Sequence, residues 1–143
     1  MVLAFFCAEI QGFVRLVSPQ VPFCGPAGLS QRFQVAGESN ESFFVVCLNT
    51  KNEVLLVKKI HLGFCNQVIT DMKILFATIL QTGALSFICA HNHPSGDVLP
   101  SEEDKELTNK ISQASRLLDL HFLDHVIVSI DKYYSFQQDT VMF

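Results

Sequence analysis

The sequence has no tryptophan, no Cys-x-x-Cys pair, no His-Glu-x-x-His and no cluster of lysine or arginine. The last three absences each remove a class of protein. Five cysteines, Cys7, Cys24, Cys47, Cys65 and Cys89, form an odd set without paired spacing. That pattern argues against a disulfide framework or a cysteine-rich zinc site. It suits a reducing, cytoplasmic setting, with Cys47 and Cys89 as small buried hydrophobes. Without His-Glu-x-x-His there is no thermolysin-type zinc site. Net charge is −4, and duplex nucleic acid is held by basic groups that neutralise phosphate, so the chain carries no strong nucleic-acid signature. No segment reaches the roughly twenty uninterrupted apolar residues that span a bilayer. The apolar start, Met1 to Ala8, lacks a basic stretch and soon meets Glu9, so it reads as packed structure rather than a signal peptide.

What is present is hydrophobic material for one core: 143 residues, 49% hydrophobic, 13 of them phenylalanine. One domain over residues 1–143 is expected, with a motif-bearing core from about 36 to 143 and a less readable stretch at 1–35. A short helix fits Ala27 to Val35. Phe43–Leu48 is an apolar strand, Asn49–Asn52 a turn, and Glu53–Ile60 a second strand, together a hairpin. Val68 to about Gln81 reads as a largely buried helix closed by Gly83. Ala84–Ala90 reads as a buried strand. Leu107, Ile111, Ala114, Leu117 and Leu118 recur at helical spacing from Glu102 to about Leu118. A strand around His125–Ile130 and a last edge strand at Tyr133–Phe136 complete a mixed α/β order.

The chemistry concentrates in Ala90-His91-Asn92-His93-Pro94-Ser95-Gly96 and Pro100-Ser101-Glu102-Glu103-Asp104. Side chains two apart on a strand share a face, so His91 and His93 can converge at a strand end that Pro94 terminates. Gly96 permits the turn. Ser101 stands where a helix N-cap belongs and Asp104 one turn in, able to face back toward the histidines. Two imidazoles and a carboxylate make three ligands with a fourth position open, which is what catalytic zinc requires. Ser101-x-x-Asp104 also reads as a capping box with no chemistry attached, and the two readings are compatible. Cys89 shares the histidines' strand parity and is an alternative fourth ligand. Asp124 and His125 read either as supports behind the ligands or substrate contacts, or as an ordinary strand pair. His61 and His121 have no partners by spacing.

His91-Asn92-His93-Pro94-Ser95-Gly96, Pro100-Ser101-x-x-Asp104, Leu123-Asp124-His125-Val126-Ile127-Val128 and Tyr134-Ser135-Phe136 together resemble the RadC family, part of the JAB/MPN (JAMM) metalloprotease superfamily, over roughly Leu16 to Phe136. The resemblance implies a mixed sheet flanked by helices, similar to the cytidine deaminase architecture. It implies Zn2+ held by His91, His93 and Asp104, with Ser101 steadying the tetrahedral intermediate. A glutamate before an upstream strand acts as general base; Glu41 matches that place, with Glu38 and Glu53 as nearby alternatives. Two features depart from the family. Asp71-Met72-Lys73-Ile74 stands where a His-Pro-Arg-Glu stretch is usual, and the residues given before the metal domain are expected to be too few for the helix-hairpin-helix region usual there. The expected function is zinc-dependent hydrolysis of an amide in a peptide or protein substrate. The competing readings are an inactive MPN-type scaffold module and an accessory DNA-repair-associated protein. A zinc deaminase would need His-x-Glu with Pro-Cys-x-x-Cys, and neither is here.

Overall fold

The structure, a computed structural model, describes residues 40–60 and 71–142. The expected helix at Ala27–Val35, the reading of residues 1–35 and Glu38 lie outside the described residues, as do His61, Cys7, Cys24 and Cys65.

Strand β1 (Phe43–Leu48) is an unbroken run of apolar residues, and every one of them is buried. That is what a central strand covered on both faces demands. It pairs antiparallel with β2 (Val54–Ile60) on one side and with β3 (Ser86–Asn92) on the other. The β1–β2 turn is set by Asn49, whose Oδ1 accepts the backbone N–H groups of Lys51 at 2.8 Å and Glu53 at 2.9 Å. Strand β4 (His121–Val128) runs parallel to β3, and β5 (Tyr133–Ser135) and β6 (Thr140–Met142) follow antiparallel. The six-stranded mixed sheet has the order β2-β1-β3-β4-β5-β6.

Parallel strands need a crossover, and helix α2 (Glu102–Leu117) supplies it between β3 and β4. Helix α1 (Met72–Thr82) joins β2 to β3. Alternate residues Phe43, Val45 and Cys47 of β1 and Phe87 and Cys89 of β3 pack with Leu75, Phe76 and Ile79 of α1 and Ile111 of α2. Both described helices therefore lie on one face of the sheet. The opposite face, including Phe44, Val46, Ile88, Ala90 and Val126, is buried as well. Strand β3 thus has no solvent face, which explains its continuous apolar sequence.

Several details differ from the sequence reading. Helix α1 starts at Met72, because the Asp71 side chain accepts from the Lys73 N–H at 2.9 Å while its own backbone is extended; the helical start expected at Val68 lies outside the described residues. The helix is also half-covered rather than largely buried, with Ile74 and Leu80 exposed. In α2, Leu117 and Leu118 are not on the core face. The helix ends there, Asp119 takes φ 53°, and Leu117 is 86% exposed. Strand β4 begins four residues before His125, and Ile130 sits exposed in the following turn. The edge strand is β6 rather than β5, because Thr140–Met142 pairs outside Tyr133–Ser135.

Candidate metal centre

The end of β3 and the start of α2 meet at one point. His91 is the penultimate residue of β3, on the face that Phe87 and Cys89 share with the helices, and it pairs with Phe43 in the β1 register. Its ring stacks on Phe43, with an interplanar angle of 14°. His93 lies just past the strand, in a turn closed by Gly96 N–H to His93 C=O at 2.9 Å. Gly96 holds φ 76°, a left-handed conformation that an L side chain resists. Asp104 is the third residue of α2, in a capping box: its N–H reaches the Ser101 Oγ at 3.1 Å, and the Ser101 N–H reaches its Oδ2 at 2.8 Å. The helix cap thereby aims the carboxylate at the strand end.

Three ligand atoms converge there. The two Nε2 atoms of His91 and His93 are 3.0 Å apart. His91 Nε2 is 3.1 Å from Asp104 Oδ1, and His93 Nε2 is 3.3 Å from Asp104 Oδ2. The three groups lie within 4.8 Å of one another, and His91 is 1% exposed. The donor set fits a metal. His93 Nδ1 lies 3.0 Å from the Asp97 carbonyl, which can only accept, so Nδ1 carries the proton and a neutral His93 turns a bare Nε2 inward. Two imidazole lone pairs and a carboxylate at these separations repel unless a positive particle sits among them, a proton or a metal ion. The electrostatics agree. Burial raises the Asp104 pKa, but the neighbouring His91 and His93 rings and the Ser101 hydroxyl outweigh that and hold the carboxyl well below the usual range. The hydrogen bond to Asp104 likewise raises the His93 pKa. A metal held by these three residues alone would keep a position open for a further ligand.

The other residues singled out fall at varied distances. Ser101 Oγ donates to Asp104 Oδ2 at 2.6 Å, beside the centre and at the exposed start of the helix. Glu41 is exposed two residues before β1. The register Phe43↔His91, continued by two residues, sets Glu41 across from His93, and its charge helps raise the His93 pKa. Glu53 lies at the other end of β1, where Asn49 Nδ2 donates to its carboxylate at 2.7 Å. Cys89 is fully buried in the core cluster, where burial pushes its thiol pKa up, and the ligand group among the described residues does not include it. Asp124 joins β4 to the chain after β5: its carboxylate accepts from Ser135 Oγ at 2.6 Å and from the Gln137 N–H at 3.0 Å. His125 is fully buried and its Nε2 lies 2.9 Å from His91 Nδ1, so it sits behind the ligand and away from solvent. His121 is exposed at the start of β4.

Three contributors were not read from the sequence. Asn92 Oδ1 accepts the Ser42 N–H at 2.9 Å, and its Nδ2 donates to the Asn40 carbonyl at 3.3 Å. Those bonds fasten the segment bearing Glu41 to the histidine strand. Thr108 bonds His125, and the Asp97 carbonyl orients His93. Asn92, inside His-Asn-His, carried a signal, since a buried strand amide needs partners. A backbone carbonyl carries none.

A mixed sheet bearing a strand-end His-x-His and a helix-start aspartate defines a JAB-type domain. A family model described as "RadC-like JAB domain" matches residues 27–141, and the chain belongs to that family. It is 41% identical over 105 residues to a UPF0758 protein of Chlorobium chlorochromatii, covering 73% of this chain and 47% of that one. It is also 41% identical over 100 residues to a UPF0758 protein of Bacillus licheniformis, covering 70% and 45%. A UPF0758 protein of Flavobacterium johnsoniae is 39% identical over 102 residues, covering 71% and 44%. The chain thus spans about half the length of the curated relatives it matches. Among the described residues, no helix is long and apolar enough to cross a membrane.

Proposed function

We propose that this domain is a zinc-dependent hydrolase of an amide bond, peptide or isopeptide, working in a reducing cytoplasmic setting. The observation that carries the reading is the convergence of His91, His93 and Asp104 within 4.8 Å, on one strand end and one helix start. Zinc is the metal best suited to two imidazoles, one carboxylate and an open position.

Held by His91, His93 and Asp104, zinc would supply a water acidified to a pKa of roughly 7 and a Lewis acid for the carbonyl. The chain's own residues do the rest. Glu41, opposite His93, accepts the proton of the attacking water and delivers it to the leaving amine as the carbon–nitrogen bond breaks. The Ser101 hydroxyl, at the mouth of the centre, turns from Asp104 to donate to the oxygen on which negative charge develops. The start of α2 adds the positive end of its dipole. A complete ligand group of this kind disfavours the inactive scaffold reading.

Purified protein should hold about one zinc per chain, and His91→Ala should lose it. Glu41→Gln should keep the metal while hydrolysis of a peptide library and an isopeptide-linked substrate falls on the order of 10²- to 10⁴-fold. Wild-type protein that takes up no zinc would falsify the reading. A fully active Glu41→Gln would move the base elsewhere.

A further inference from the structure

Behind the metal centre runs a buried chain of hydrogen bonds that fixes where the protons sit. Thr108 Oγ1 lies 2.6 Å from the Asp104 carbonyl oxygen and 2.6 Å from His125 Nδ1. A carbonyl only accepts, so the single hydroxyl proton of Thr108 points at Asp104. Toward His125 the same oxygen can then only accept, which puts a proton on His125 Nδ1. His125 has no solvent exposure, and no carboxylate bonds either ring nitrogen. A second proton would therefore make an unpaired buried cation at high cost. Its Nε2 is bare, and at 2.9 Å it accepts from His91 Nδ1. His91 in turn has its own Nε2 bare and facing His93 and Asp104. The rings are held in plane by packing: His125 stacks on Phe136 at 5.0 Å with an interplanar angle of 10°, and His91 stacks on Phe43.

We propose that His125, oriented by Thr108, is a positioning residue that locks His91 into the Nδ1-protonated form and so presents its Nε2 lone pair to the metal. This rests on the reading of His91 as a ligand. The partner that orients a metal-binding histidine is most often a carboxylate or a carbonyl. Here it is a neutral imidazole, whose acceptor nitrogen is itself dictated by a hydroxyl one turn beyond Asp104 on the ligand-bearing helix. Asp104 and His91 are thereby coupled twice, once through the metal position and once through Asp104 C=O, Thr108 and His125.

The test is zinc affinity by chelator competition, alongside long-range proton–nitrogen spectra of protein labelled in its imidazole nitrogens. In the wild type, the spectra should report His125 protonated at Nδ1 in both metal-free and zinc-loaded protein. With zinc, they should report His91 bound through Nε2. His125→Phe keeps the ring that stacks on Phe136 but removes the acceptor, and should weaken zinc binding about 10- to 100-fold. Phenylalanine is preferred to alanine because a cavity of about 390 Å³ between α2 and β4 is lined in part by Thr108 and His125, and water entering a truncated site could replace the lost nitrogen. His125→Gln, whose amide oxygen can accept from His91, should recover most of the affinity. Zinc bound by the wild type through His91 Nδ1, or His125→Phe binding as tightly as wild type, overturns the proposal while leaving the hydrolase reading intact. Wild type that binds no zinc removes the ligand reading, and this proposal with it. If His125→Phe does not fold, the wild-type spectra decide alone.

Discussion

The Ser101 hydroxyl receives the Asp104 N–H at 3.1 Å and donates to the Asp104 carboxylate at 2.6 Å. Its structural and chemical roles therefore separate under mutation. Ser101→Ala removes an N-cap, which costs about 1 kcal/mol of stability. The Asp104 carboxylate keeps the Ser101 backbone N–H, so metal content should hold. Loss of one oxyanion donor lowers turnover by about 10²- to 10³-fold. Calorimetry, metal analysis and kinetics on the single variant read the three effects apart. If Ser101→Ala melts early yet turns over at the wild-type rate, the serine is a cap alone.

At the scale of elements, two glycines among the described residues hold left-handed backbone: Gly83 at φ 67°, closing α1, and Gly96 at φ 76°, in the turn after His93. An added Cβ meets nothing within 4 Å at Gly83 and only Ser129 Oγ, at 3.9 Å, at Gly96. The penalty is therefore backbone strain at both, about 1–2 kcal/mol for each alanine. The consequences for function differ. Gly83→Ala should leave zinc affinity unchanged, while Gly96→Ala disturbs the turn that aims His93 at Asp97 and should weaken it. Equal losses of affinity in the two variants would mean that the turn does not set the ligand. The same elements explain what could be read from the chain. Strands β1 and β3 were legible because burial on both faces leaves an unbroken apolar run, and α2 because its cap and core positions are local. Strand β6 was not, since Thr140-Val141-Met142 is too short to carry a pattern, and Leu117 and Leu118 kept helical spacing past the point where the helix turns away. In the centre, His91, His93 and Asp104 fall close together in sequence, so spacing alone suggests that they meet. His125 lies 34 residues from His91 and 17 from Thr108, and only the β3–α2–β4 crossover brings the three together.

For the whole molecule, the centre ties the sheet to α2, and its proton and metal forms respond to pH in opposite senses. Without metal, it is the protonated form of His93 that pairs with Asp104. Its folded pKa is raised above the ordinary histidine value, chiefly by that hydrogen bond. Its contribution to stability is therefore full below about pH 6.5 and is lost as pH rises through the higher folded value. Asp104, held low, behaves conversely and contributes above the ordinary carboxylate range, losing its share as pH falls. A metal ion must displace the His93 proton, so its binding tightens as pH rises. At free zinc 100 times the dissociation constant, binding adds about 2.7 kcal/mol to stability, on the order of 10 °C in Tm for a domain of this size. Melting curves taken from pH 6 to pH 8, with and without zinc, should therefore diverge, the zinc-induced rise in Tm growing across the range; the metal-free Tm itself is also moved the other way by buried His125, whose pKa burial pushes down. A zinc-induced rise that does not change with pH would mean that no ligand proton is released, which is incompatible with His93 holding the metal through the nitrogen that faces Asp104.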